Sequence, residues 1–421
     1  MLKLDEFNLK KEDKIICAVS GGPDSMALLD LLVQAHFKPV VCHVNYHKRA
    51  SSKRDELIVS DYCNKHSLVF ELLDVKEKQR GNFQNWAREL RYHFFKEIYD
   101  KVQAQALLVA HQEDDLIETY LFKKARKSVG DYLGLASKEE IFGMTIIRPL
   151  LEQPKKALIE YCVSRGIQFG EDESNFQKNY TRNRFRLEIV EKLSEQERAF
   201  ILRNIELEEK AWQKKRAEAL EILIDNKISV TAFLKKDEEQ KHLLLYHFIV
   251  RNCPDIARSV STKRLKDLSK QLSSDKQNIV IKLNNEKCLV KSYDILEIKA
   301  RKVEGFSYQI SKLVETDYPQ FSLRFNGPKK LDGIHVFESD FPLTIRSPKA
   351  DDYLILKSGH KSLRRLFIDK KIPVMERKNW PVVVNSKKEI IHIPGLYRFS
   401  ERKTLQNNLY VLKCTSQKGE D

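Results

Sequence analysis

Residues 15–32 read IICAVSGGPDSMALLDLL, and this stretch decides how the chain begins to fold. Ile15 to Val19 is a short apolar run of strand length and partly β-branched content. Ser20-Gly21-Gly22-Pro23-Asp24-Ser25 interrupts it, and Met26, Leu28, Leu29, Leu31 and Leu32 then recur at helical spacing. Strand, glycine turn and helix in succession present backbone N–H groups to an anion. Gly21 and Gly22 let the chain turn tightly and let a phosphate approach without a Cβ in the way. Pro23 suits the first turn of a helix, where a missing N–H costs nothing. Ser20 and Ser25 add hydroxyl donors. The loop is not a Walker A loop, because Gly-Lys-Ser/Thr is absent.

Working outward, apolar strand-like runs alternate with helical patterns. Pro39 to Asn45, Leu68 to Val75, Ala106 to Ala110 and Met144 to Ile147 read as strands. Residues 53–65, 82–102 and 114–123 read as helices. This alternation predicts an α/β domain with a doubly wound parallel sheet. Ligands in such sheets bind beyond the C-terminal strand ends, at a topological switch point. The loop at Ser20 and the segments at His43 and His111 all follow strands on that edge.

Other segments carry possible chemistry. The backbone of His43-Val44-Asn45-Tyr46-His47 can read an adenine ring; the same residues also suit a plain strand end with a surface histidine. Arg88 and Arg91, at i and i+3, share a helical face that can meet a triphosphate or RNA, or simply face water. Asp114 and Asp115, with Glu118 a turn later, can hold Mg²⁺, bind a substrate ammonium, or complement a helix N-terminus. Tyr180-Thr181-Arg182-Asn183-Arg184-Phe185-Arg186 interleaves basic, amide and aromatic groups, a mix that neutralises phosphates and stacks bases.

Bulk properties narrow the partners. The chain has 421 residues, 42% hydrophobic and 32% charged, which suits two or three folded domains rather than a disordered protein. Its formal net charge of +15 favours a polyanionic partner such as nucleic acid. The seven cysteines are scattered with no Cys-x-x-Cys pair, which fits a reducing cytoplasmic setting and gives no zinc-ribbon or redox motif. The opening MLKLDEFNLKKEDK does not read as a signal peptide, and no apolar run is long enough to cross a membrane.

The loop resembles the pyrophosphate (PP-loop) signature Ser-Gly-Gly-x-Asp-Ser of the N-type ATP pyrophosphatases. SGGPDS, HVNY, NFQNWARELRY, AHQEDDLIETYL, RPLL and DESNFQKNYTRNRFR, in that order, together resemble the tRNA(Ile)-lysidine synthetase family. A second stretch of likeness runs from Arg346 to Phe399. The resemblance implies a Rossmann-like PP-loop ATPase domain, a helical middle domain and a small basic α+β C-terminal domain. It also implies adenylation of the carbon-2 oxygen of the wobble cytidine in tRNA(Ile) with a CAU anticodon, followed by attack of the L-lysine ε-amine and release of AMP. ATP and Mg²⁺ are the implied cofactors.

By resemblance, Ser20, Gly21, Gly22, Pro23, Asp24 and Ser25 bind the nucleotide. Asp24, Arg88, Asp114 and Asp115 are the catalytic candidates, with Asp24 and Asp114 the candidate Mg²⁺ ligands. Arg182, Asn183, Arg184, Arg186, Lys361, Arg364, Arg365 and Arg377 are candidate tRNA contacts. The family's usual Gly-His-His is Ala110-His111-Gln112 here, so the resemblance carries no catalytic role for His111.

The expected division is a catalytic domain at 1–200, a helical tRNA-binding middle at 201–300, a connector at 301–342 and a basic tRNA-docking domain at 343–421. Residues 343–414 hold 16 Lys or Arg against 6 Asp or Glu, so most of the net charge lies in that module. Lys361, Arg364 and Arg365 read as one helical face there. The sequence does not choose between a monomer and a homodimer. A PP-loop tRNA thiolase would need paired cysteines or an iron–sulfur site. An amidating enzyme for small molecules would not need the basic tail. A non-catalytic RNA-binding protein would not need an intact SGGPDS.

Overall fold

Strand β1 (Ile15–Ala18) and helix α1 (Pro23–Gln34) flank the glycine turn as the sequence requires. The computed structural model describes residues 4–48, 51–76, 83–170, 186, 188–301, 304–325, 333–356, 359–399 and 408–413. Its chain separates into two compact units, Met1–Ala217 and Glu218–Asp421.

In the first unit, β1 is joined by β2 (Val40–Asn45), β3 (Phe70–Asp74), β4 (Ala106–Val109), β5 (Lys138–Ile141) and β6 (Met144–Ile147). The sheet order is β3-β2-β1-β4-β6-β5. All neighbours run parallel except the β5–β6 hairpin. Order reverses between β1 and β4, so a crevice opens there beyond their C-terminal ends. The edge strand β5 was not foreseen. Its sequence, Lys-Glu-Glu-Ile, lacks the apolar content that marks a buried strand, and it is held by pairing with β6.

Both sheet faces are covered, as parallel sheets require. Ile15, Cys17 and Leu108 pack with Met26, Leu29 and Leu32 of α1, and with residues of α2 (Ser52–Lys65) and α5 (Lys155–Ser164). Ile16, Leu107 and Ile146 face the other way, onto Phe94, Phe95 and Ile98 of α3 (Phe83–Val102). Helix α4 (Glu113–Ala125) follows β4 and packs through Leu116, Ile117 and Tyr120 against the first turns of α6 (Glu195–Leu220).

The second unit opens with β7 (Leu223–Ile224), β8 (Lys227–Ser229), α7 (Val230–Leu234), α8 (Glu238–Asn252) and α9 (Thr262–Leu272). The helices expected in the middle of the chain are present. Beside them β9 (Asn278–Lys282), β10 (Lys287–Ser292) and β11 (Ile295–Ala300) complete an antiparallel sheet ordered β7-β8-β11-β10-β9.

The C-terminal part holds short antiparallel strands around a core of Phe321, Leu323, Ile334, Leu343, Ile345, Val383 and Ile391. Strands β12 (Tyr353–Leu356) and β13 (Gly359–Ser362) form a hairpin that leads into α10 (Leu363–Asp369). Lys361 therefore lies on a strand, not on one helical face with Arg364 and Arg365. Ser362 caps the helix, accepting from the Arg365 backbone N–H, so the helix begins only at Leu363.

Candidate functional site

A cavity of about 530 Å³ opens at the β1/β4 switch point, lined by Ser20, Asp24, Ser25, His43, Arg88 and His111 among others. Ser20, Asp24 and Ser25 of the glycine loop form part of its lining. Gly21 has φ +89°, and a Cβ there would lie 3.0 Å from the Asp55 Cβ and backbone oxygen, so only glycine fits without displacement. The Gly170 N–H donates to the Gly21 carbonyl at 2.8 Å and holds the turn from outside.

Ser25 stiffens the loop from within. Its hydroxyl donates to the Gly22 carbonyl at 2.9 Å and accepts from the Ser20 N–H at 3.2 Å. Gly22 is the α1 N-cap and supplies no side-chain cap to the first helical N–H groups. Such a terminus carries a partial positive charge and donors suited to phosphate.

Asp24 sits in this first turn. Its Oδ1 is buried and has no hydrogen-bond partner among the described residues. Burial and then the neighbouring Asp115 carboxylate push its pKa up to about 6, against the opposing pull of Lys155 and Arg186. A carboxylate oxygen left this way fits a cation brought in with a ligand. Mg²⁺ commonly binds through one or two protein carboxylates plus substrate phosphates, so Asp24 suits it.

The other predicted acids are differently employed. Gln112 caps α4: its Oε1 accepts from the Asp114 N–H at 2.6 Å, and Asp115 Oδ2 accepts from the Gln112 N–H at 3.1 Å. The Asp114 carboxylate is ion-paired with Arg198 of α6, which also reaches Glu113 at 3.3 Å. Asp114 is thus held by a guanidinium rather than left for a metal. Asp115 Oδ1 lies 3.6 Å from Arg186. Among the described residues no three His, Cys, Asp or Glu side chains are grouped to hold a metal ion.

The cavity walls bring Arg88 and Arg91 of α3 to the same space as the loop. Arg88 lies 4.7 Å from the Tyr92 ring centroid. Tyr46, Phe83 and Trp86 form an aromatic cluster with centroid separations of 5.8–6.3 Å, and Lys48 sits 3.5 Å from the Phe83 centroid. His43 is buried rather than on the surface, and its Nδ1–H donates to the Val19 carbonyl at 2.8 Å. Burial holds its pKa below the usual histidine range.

Three residues outside the predicted set complete the site. His111 lines the cavity, and Arg148 donates to its Nδ1 at 2.9 Å. Arg198 was also unforeseen, because its partners lie 84 and 85 residues away.

The candidate tRNA contacts Arg182, Asn183 and Arg184 lie outside the described residues. Arg186 is described and turns toward Asp115. In the second unit Lys361 and Arg365 both pair with Asp369, at 2.7 and 3.0 Å. Arg364 is exposed beside them, and Arg377 donates through Nε to the Ile372 carbonyl at 2.9 Å.

A family model described as a PP-loop domain matches residues 2–193, and one described as the TilS substrate C-terminal domain matches residues 343–411. The tRNA(Ile)-lysidine synthase of Bacillus subtilis (strain 168) is 32% identical over 93% of this chain and 92% of its own length. That of Mycoplasma mycoides subsp. mycoides SC is 32% identical over 91% of this chain and 97% of its own. A crystal structure of a TILS C-terminal domain is matched over 26% of this chain and all of its own, at 25% identity and a TM-score of 0.23.

Proposed function

The chain belongs to the tRNA(Ile)-lysidine synthase family, a family of carbon–nitrogen ligases that modify tRNA, and we propose that it joins L-lysine to carbon 2 of the wobble cytidine of tRNA(Ile) bearing a CAU anticodon. ATP is consumed to AMP and pyrophosphate, and the activated species is an adenylated cytidine. The observation that carries this reading is the union, in one chain, of an uncapped glycine-loop anion cradle and the matched C-terminal domain.

The chemistry follows from the groups in the cavity. A carbonyl oxygen is a poor leaving group, so it is first converted to a phosphate ester. The α1 N-terminus, Ser20, Ser25 and Arg88 bind and orient the phosphates and stabilise negative charge as pyrophosphate departs. Asp24 would hold Mg²⁺, which would supply charge neutralisation at the phosphates. The lysine ammonium meets the acidic edge of α4, with Asp115 foremost because Asp114 is committed to Arg198. The basic module around Arg364, with Arg186 and the 182–184 segment, contacts the tRNA backbone.

A thiolase reading is disfavoured by the cysteines. Cys17, Cys42, Cys63, Cys162, Cys253 and Cys288 are all buried as free thiols. Cys42, the one among the described residues that lines the cavity, has its pKa pushed up to about 12 by burial, so it stays protonated and weakly nucleophilic.

The test is incubation with ATP, Mg²⁺, labelled lysine and a tRNA(Ile) transcript bearing CAU, followed by mass analysis of the nucleosides. Labelled lysidine at the wobble position is expected. Folded protein that binds the tRNA yet transfers no label would refute the proposal. Asp24→Ala is expected to abolish AMP release while tRNA binding persists; retained AMP release would remove Asp24 from the chemistry.

A further inference from the structure

Strands β1 and β4 end at the cavity, and β6 ends beside β4. Ala18 of β1 pairs with Val109 of β4, and Leu108 of β4 pairs with Ile147 of β6. The residues that follow are, in order across the sheet, the Ser20 loop, His111 and Arg148. Parallel pairing thus sets side chains 37 residues apart against each other, with His111 between Arg148 and the cavity.

Arg148 is 3% exposed, and its three kinds of donor are all committed. Nη1 donates to the Ala136 carbonyl at 2.7 Å, Nη2 pairs with the Glu139 carboxylate, and Nε donates to His111 Nδ1 at 2.9 Å. A guanidinium has no acceptor. Nδ1 must therefore offer its lone pair, and the single proton of a neutral imidazole must sit on Nε2.

We propose that Arg148 fixes His111 as a neutral Nε2–H tautomer and that this N–H donates to an anionic oxygen of the nucleotide bound in the cavity. The inference rests on the nucleotide reading of the cavity given above. Arg148 is a positioning residue in this scheme, acting only through His111.

The charges facing the ring agree with the geometry. Burial lowers the pKa of His111; Arg148, Arg91 and Arg88 lower it further, against the opposing pull of Asp115. A second ring proton would also place an N–H against the Arg148 donor. The consequence is specific. A neutral Nε2–H tautomer has no lone pair facing the cavity, so His111 does not remove a proton from the lysine ammonium. It contributes a fixed hydrogen bond and no proton transfer.

The replacement of the family's second histidine by Gln112 fits this division of labour. Gln112 is fully buried and caps α4 through its side-chain oxygen, so that position serves the helix while His111 serves the cavity.

The test uses the full chain. Imidazole ¹⁵N spectra of the apo protein, with His111 assigned by its loss in His111→Gln, should show the Nε2–H tautomer without titration between about pH 5 and 8. A protonated ring or the Nδ1–H tautomer in that range overturns the claim for Arg148. ATP affinity without tRNA is the second readout. Gln places a donor near the position of Nε2, whereas Asn places its amide near Nδ1. His111→Gln should stay within about threefold of wild type, and His111→Asn should weaken ATP binding about tenfold, the worth of a hydrogen bond to a charged group.

Equal affinities for the two variants overturn the donor role. Arg148→Met should leave a mixture of tautomers in the same spectra; an unchanged Nε2–H pattern in a folded Arg148→Met protein also contradicts the proposal. Wild type that binds ATP but forms no lysidine refutes the function reading and leaves this inference standing. Wild type that does not bind ATP overturns both.

Discussion

Asp24 is the residue on which binding and stability pull in opposite directions. Its folded pKa of about 6 lies above the ordinary carboxylate value of 3.8, chiefly through burial. The folded state favours the protonated form, so stability is greatest below pH 3.8 as far as this group is concerned and falls as pH rises through about 6. Asp24→Asn removes the buried charge and should raise the melting temperature of the apo protein above pH 6 by roughly 2–8 °C. The gain should shrink toward zero near pH 4, a profile that calorimetry across the range would check. Mg²⁺–ATP should stabilise wild type more than Asp24→Asn, because the oxygen left unpartnered is then used. The place of Asp24 in the first turn of α1 was legible in SGGPDS. The commitment of Asp114 to Arg198 was not, because adjacent carboxylates look alike in sequence and only the packing of α6 distinguishes them.

At the scale of elements, the glycine loop and α1 were readable because strand, turn and helix signals are local. The loop tolerates little change. Gly21→Ala meets both a positive φ and the Asp55 backbone, and should cost about 1–3 kcal/mol of stability together with most ATP affinity. Thermal melts and nucleotide titration would check both; a variant with wild-type values in each would show that the turn relaxes freely. Removing the α4 cap with Gln112→Ala should cost about 1 kcal/mol by denaturant titration. Features built from pairing across the sheet were harder to read. The β5 hairpin has charged residues that no periodicity marks as a strand. The Arg148–His111 contact exists only because β4 and β6 are neighbours. Lys361 looked helical from its spacing to Arg364 and Arg365, whereas the Ser362 cap separates strand from helix.

For the whole molecule, two compact units divide the surplus of positive charge unequally, and the C-terminal basic excess was legible from composition alone. We place the chemistry in the first unit and a share of tRNA docking in the second. Arg364→Glu, at an exposed position beside two lysine or arginine side chains already paired with Asp369, should weaken tRNA binding. It should also flatten the dependence on salt by about one to two units of slope while leaving ATP affinity unchanged. Unaltered binding across salt concentrations would take Arg364 out of the interface. The central claim is that ATP activates the carbon-2 oxygen of the wobble cytidine, and the most direct measurement follows that oxygen. With tRNA(Ile) carrying ¹⁸O at carbon 2 of that cytidine, mass spectrometry should find one ¹⁸O in the AMP released for each lysidine formed. AMP released without ¹⁸O, while lysidine forms, would contradict the account.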